Sequence, residues 1–200
     1  MVRLIFRLLF WLKGWKVKVH PGVDVNKLKK SVILAAPHTS NWDFVFSVAG
    51  CRQMGVKLRF AIKQSWMKFP LNIAIRPMGG IAVDRSDASK RKNKTALVDA
   101  MADLYKERDE LCIMIAPEGT RSLTKSWKKG FYYTAQRAEV PIALAYLDYK
   151  NKVAGIGKVI YPSGDMDKDM VEIMKFYQHI TPKNPELFAL DRRYAKELAK

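Results

Sequence analysis

Residues 31–36 form an apolar run that reads as a buried strand, and runs of the same kind recur at 58–62, 81–83, 111–116, 140–149 and 153–160. Between them lie stretches of helical spacing at 42–54, 89–107, 126–139 and 167–180, and a last one at 185–199. Strands alternating with helices predict an α/β fold of one domain, a mainly parallel central sheet flanked by helices. Residues 17–30 read as a polar connector with a His20-Pro21-Gly22 turn. Two hundred residues with 48% hydrophobic composition are enough to bury a full core without staples.

The first strand stops at Pro37-His38-Thr39-Ser40-Asn41-Trp42-Asp43. On a regular helix, residues five apart point about 140° away from each other, so His38 and Asp43 meet only if the chain between them turns. Pro37 biases Ala36 toward an extended conformation, and Thr39, Ser40 and Asn41 are all good N-cap residues. Asp43 then falls in the first turn of a helix, where the helix dipole favours a carboxylate. There it can bond one ring nitrogen of His38 and leave the other free to take a proton from a substrate hydroxyl. Capping alone accounts for the same residues equally well. A metal site lacks support, since the other histidines are His20 and His179 and no Cys or carboxylate cluster surrounds the motif. A hydrolase nucleophile at Ser40 lacks a G-x-S-x-G elbow.

Lys plus Arg number 36 against 19 for Asp plus Glu, a formal net charge of +17, which points to nucleic acid, an anionic membrane surface or an acidic protein partner. No zinc-finger or RNP signature appears and the basic residues are spread along the chain, which argues against nucleic acid. Cys51 and Cys112 lie in apolar runs and are expected as buried, reduced thiols in a cytosolic setting. Residues 1–16 are expected to form a membrane-interface helix and 17–200 the remaining domain. The apolar residues of the N-terminal stretch are too few for a span of roughly 20 residues. It reads instead as an interfacial helix, with Phe6, Phe10, Trp11 and Trp15 dipping into lipid and Arg3, Arg7 and Lys13 facing the headgroups. A first helix that packs on the core has the same periodicity.

Two further strand ends carry polar groups: Arg85 follows 81–83, and Glu118, Gly119, Thr120 and Arg121 follow 111–116. In open α/β sheets ligands bind at the carboxyl ends of the strands. Gly119 lets backbone approach a ligand closely, and Arg85 and Arg121 offer two-donor forks suited to phosphate or carboxylate.

Taken together, these blocks resemble the glycerophospholipid acyltransferase family, of the 1-acylglycerol-3-phosphate acyltransferase kind. His38 to Asp43 matches its H-x4-D block and Gly79-Gly80-Ile81-Ala82-Val83-Asp84-Arg85 its second. Ala116-Pro117-Glu118-Gly119-Thr120-Arg121-Ser122, followed by Lys128-Lys129-Gly130-Phe131, matches the third, and Val140-Pro141-Ile142 opens the fourth. Pro37, Ala82 and Ala116 depart from the family pattern. The resemblance implies acyl transfer from acyl-CoA or acyl carrier protein, as co-substrate and with no bound cofactor or metal, to a lysophospholipid hydroxyl, giving phosphatidate. His38 and Asp43 would be catalytic. Arg85, Glu118, Gly119, Thr120, Arg121, Lys128 and Lys129 would bind substrate, with backbone amides near Glu118 and Gly119 or in the His38 turn stabilising the oxyanion. The expected place is the cytoplasmic face of a membrane, bound peripherally, with an anionic surface and an acidic acyl carrier protein as partners. Acylation of a lyso-aminolipid or other phosphate-free acceptor is the alternative within the enzyme class. Outside it stands a basic membrane- or nucleic-acid-binding module.

Overall fold

A computed structural model describes residues 2–83 and 96–198. Its centre is a seven-stranded sheet in the order β1-β7-β6-β2-β5-β3-β4. These are β1 (Lys16–Val19), β2 (Lys30–Ala35), β3 (Leu58–Lys63), β4 (Gly80–Val83), β5 (Leu111–Ile115), β6 (Ile142–Asp148) and β7 (Val153–Ile160). The block β6, β2, β5, β3, β4 is parallel throughout; β7 runs antiparallel to β6, and β1 pairs in parallel with β7. The predicted α/β class and mainly parallel sheet are what the chain adopts.

The central strands are apolar on both faces because both faces are covered. Val32, Leu34, Leu111, Ile113, Ile142 and Leu144 point to one side, under α4 (Ala96–Lys106), α5 (Gly130–Arg137) and α6 (Met166–Tyr177). Their neighbours Ile33, Cys112, Ala143 and Ala145 point to the other, under α2 (Asn41–Gln53). The α2 side is lined by smaller residues, and a cavity opens there.

The N-terminal helix α1 (Val2–Leu12) uses two faces. Phe10 is 2% exposed, and Trp15 just beyond the helix 7%; both pack with Phe46 of α2, at ring separations of 6.3 and 4.6 Å. Phe6 is half-buried, edge-on to Phe44 at 6.4 Å. Phe10 and Trp15 therefore belong to the core, and the expectation that they dip into lipid is corrected. The outward stripe is Leu4, Ile5, Leu8, Trp11 and Leu12, all exposed. α1 also packs against α3 (Asn72–Met78), where the Arg3 side chain donates to the Pro77 carbonyl.

Three other expectations change. The connector expected at 17–30 takes in most of β1, whose Lys-Val-Lys-Val sequence is that of an exposed edge strand. The helix expected at 126–139 starts only at Gly130, because the Lys128 amide donates to the Pro117 carbonyl and the Trp127 amide to Asp191. Of the helix expected at 185–199, the described residues 185–198 form only short turns at Pro185–Leu187, Arg192–Tyr194 and Ala195–Leu198. Fully buried Asp191 pins that segment: it accepts from the Trp127 amide at 2.9 Å and pairs with Arg193, which also donates to the Trp127 carbonyl at 2.7 Å. Of the helix expected at 89–107, the part before Ala96 lies outside the described residues.

Gly155 of β7 lies against the β1 backbone. A Cβ there would collide with the Lys18 carbonyl oxygen and come within 2.7 Å of the Tyr146 hydroxyl. Gly155→Ala is expected to destabilise the protein by about 1–3 kcal/mol through this overpacking, read as a lowered midpoint in urea unfolding.

Candidate active site

The turn between β2 and α2 is built on the Asp43 carboxylate. Ser40 caps α2 in an extended conformation, φ −150° and ψ 155°, and its hydroxyl accepts the Trp42 N–H at 3.2 Å. Asp43 Oδ2 reaches back to accept the Thr39 and Ser40 N–H groups at 2.7 and 2.8 Å. The same oxygen lies 3.3 Å from His38 Nδ1, and Oδ1 accepts the Tyr149 hydroxyl at 2.6 Å. Capping and the His–Asp pair are thus one arrangement. A carboxylate beside Nδ1 favours the tautomer with its proton there, which leaves the Nε2 lone pair to act as a base. The side chain of His38 is 27% exposed and that of Asp43 5%, so the imidazole alone is open to a substrate.

His38 lies at a cavity of about 400 Å³. The wall includes Ala35, Phe44, Cys51, Met54, Met114 and Ala154, with Arg121 supplying a charge. Cys51 is no nucleophile, since burial, followed by the neighbouring Cys112, pushes its thiol up to about 12. Among the described residues, no group of three His, Cys, Asp or Glu could hold a metal ion.

Glu118 stands behind His38. Its Oε1 accepts the His38 N–H at 2.9 Å, while Oε2 is buried with no partner among the described residues. Burial pushes this carboxyl up to about 7, against the opposing pull of the His38 amide and imidazole. Gly119 follows with φ 66°, and the Lys128 side chain lies where a Cβ would project. Thr120 and Arg121 are exposed, and the Thr120 hydroxyl accepts the Ser122 N–H at 3.1 Å. Lys129 is turned away: its ammonium sits 3.4 Å from Asp167 and 5.5 Å from the Tyr194 ring centroid, which corrects its assignment to the substrate site. Arg85 lies outside the described residues. The proposed oxyanion donors also need revision, because the amides of His38, Thr39, Ser40 and Gly119 all donate within the protein.

Three groups that hold the site were missed from sequence. Tyr149 bonds Asp43, Tyr177 donates to the Leu34 and Ala145 carbonyls at 2.7 and 3.0 Å, and Asn184 donates to Thr39 through its backbone and side chain. Each comes from far along the chain, and none carries a local signal.

The Glu118 geometry predicts a pH effect on stability. Its folded pKa lies above its ordinary 4.5, so between 4.5 and about 7 the folded state holds the proton that the unfolded state has lost. Stability therefore falls as pH rises through that window, by at most about 3 kcal/mol. Glu118→Gln keeps an acceptor for the His38 amide and removes the titration. Thermal melts at pH 5 and pH 8 should show a smaller drop for the variant than for the wild type.

An acyltransferase family model matches residues 16–146, which contain the turn, most of the cavity wall and Glu118. No curated protein sequence matches. The fold is similar to the crystal structure of the 1-acyl-sn-glycerophosphate (LPA) acyltransferase PlsC from Thermotoga maritima, with a TM-score of 0.58 at 16% identity over 100% of this chain and 79% of that one. The alternative of a non-enzymatic binding module gives way to this family match. The motifs of the sequence, the sheet that presents them and the extent of the match agree that this chain belongs to the acyltransferase family and is an enzyme of that class.

Proposed function

We propose that the protein moves an acyl chain from a thioester, acyl-CoA or acyl carrier protein, to the free hydroxyl of a lysophospholipid such as 1-acylglycerol-3-phosphate, giving phosphatidate. The observation that carries this reading is the His38–Asp43 pair, 3.3 Å apart, with the imidazole open to an apolar cavity. His38 Nε2 takes the acceptor hydroxyl proton and the oxygen attacks the thioester carbonyl. The tetrahedral intermediate then expels the thiolate, which recovers the proton from the imidazolium. No acyl-enzyme is needed. Asp43 holds the tautomer and balances the imidazolium charge. Arg121 and Arg85 hold the acceptor phosphate, with Lys128 beside Gly119 as a further cation.

His38→Ala is expected to lower kcat by at least ~10²-fold in a folded protein, and Asp43→Asn to come close to it. The assay pairs each donor with lysophosphatidic acid and with a phosphate-free lysolipid, and products are identified by mass spectrometry. A folded His38→Ala protein that keeps more than half the wild-type rate would end the general-base reading. Arg121→Lys should cost about ten- to a hundredfold in kcat/KM with lysophosphatidic acid, mainly through KM, because an ammonium lacks the planar fork. An equal loss with the phosphate-free acceptor would put the lyso-aminolipid reading ahead.

The reading includes peripheral binding at an anionic, cytoplasmic membrane face. Among the described residues, no helix is long and apolar enough to cross a membrane. The support is the outward stripe of α1, Leu4, Ile5, Leu8, Trp11 and Leu12, with Arg3, Arg7 and Lys13 exposed around it. Phe69, Leu71 and Ile73, leading into and starting the neighbouring α3, are exposed as well. A Leu8→Glu, Trp11→Glu double variant is expected to float at least ~10-fold more weakly with phosphatidylglycerol vesicles, since each lost apolar contact is worth about 1.5–3 kcal/mol. Unchanged flotation would reject the anchor.

A further inference from the structure

Tyr149 sits directly after β6 and is absent from the cavity wall, yet it touches the catalytic pair. Its hydroxyl donates to Asp43 Oδ1 at 2.6 Å, while the other carboxylate oxygen takes the Thr39 and Ser40 amides and faces His38. The phenol itself is fixed. Trp15 packs edge-on against its ring at 4.9 Å, Phe46 lies at 6.2 Å, and its backbone N–H donates to the Thr181 carbonyl at 2.9 Å. Three elements distant in sequence thus converge to hold one hydroxyl against one carboxylate oxygen.

A hydrogen bond to a carboxylate stabilises its charge and lowers its affinity for a proton or for a neighbouring cation. A carboxylate with donors on both oxygens also cannot turn about its Cβ–Cγ bond, so its contact with Nδ1 is kept. We propose that Tyr149 is a positioning residue of the acyltransferase reaction, one that orients the Asp43 carboxylate and sets the pH at which His38 becomes a base. This rests on the reading of His38 and Asp43 as a general-base pair. Burial first, and then its bond to Asp43, push the Tyr149 hydroxyl far above its ordinary pKa, so it remains a donor through the working range of the enzyme. Glu118 is close enough to feel both His38 and Asp43, and Arg121, Cys51 and Tyr146 are the further titratable or charged groups that line the cavity with the pair. Tyr177 sits behind Glu118 with its hydroxyl held by two carbonyls. Because Glu118 titrates near neutrality, the activity profile alone would mix two groups, and the imidazole has to be observed directly.

The test uses the full chain and two measurements, kcat/KM for acyl transfer to lysophosphatidic acid between pH 5 and 9, and the NMR titration of His38. The protein has three histidines, and His38→Ala identifies the His38 signal. Tyr149→Phe keeps the ring between Trp15 and Phe46 and removes only the donor. Without it the carboxylate attracts the imidazolium more strongly, so the His38 midpoint and the acid limb of kcat/KM should both move up by about 0.5–1 unit. kcat should fall about tenfold with KM little changed. 3-Fluorotyrosine placed at position 149, a stronger donor of nearly the same shape, should move the midpoint down, and it decides the matter if the Phe variant does not fold. A His38 midpoint within about 0.2 unit of wild type in a folded Phe variant, or in the fluorinated protein, would overturn the proposal. An inactive His38→Ala protein with an unmoved midpoint removes Tyr149 alone; an active one removes the general-base reading beneath it.

Discussion

A buried carboxylate without partners is expensive to keep charged, and Asp43 is buried. The structure surrounds it with donors from every direction: two backbone amides of its own turn, the Tyr149 hydroxyl from beyond β6 and the ring of His38. It also sits in the first turn of α2, where the helix dipole favours negative charge. The charge is tolerated only when strand, helix and turn are all in place. Burial of Asp43 therefore fixes the geometry of the turn as firmly as it fixes the histidine, and the reactive face of the imidazole is what remains open.

The same logic dissolves a choice that the sequence leaves open. Read as letters, a serine, an asparagine and an aspartate before an apolar helix are as well explained by capping as by catalysis. In three dimensions Asp43 Oδ2 does both, accepting the two amides and facing Nδ1. Glu118 extends the pattern from the third strand end. It grips the backbone of His38 instead of standing in the cavity, so a residue read as contacting substrate stands instead among the residues that hold the base.

What was legible in the sequence was local. The central strands are apolar on both faces and announce themselves, and His38, Asp43, Glu118 and Arg121 follow directly on strand ends, so their convergence follows from a parallel sheet. What was not legible depends on partners far along the chain. β1 is short, lysine-rich and exposed, so it carries no apolar signal. Lys129 has the right chemistry for an anion, but Asp167 of α6 and Tyr194 decide where it points. In α1 both faces are apolar, and only the position of Phe46 reveals that Phe10 and Trp15 face inward while Leu8 and Trp11 do not. Tyr149, Asn184 and Asp191 look like ordinary loop residues until Asp43, Thr39 and Trp127 are placed beside them.

The pairing of β1 with β7 has a consequence for the order of assembly. Lys16 through Val19 leave a ribosome long before their strand partners, Val153 through Ile156. The Thr39 hydroxyl and carbonyl likewise wait for Asn184. A chain made from its N-terminus can lay down the β2–α2 turn early, yet loop closures of this span are the slow steps of folding. The catalytic turn is thus written well before the residues that lock it, and the nascent protein carries the motif through all the intervening synthesis before it can hold it in working order.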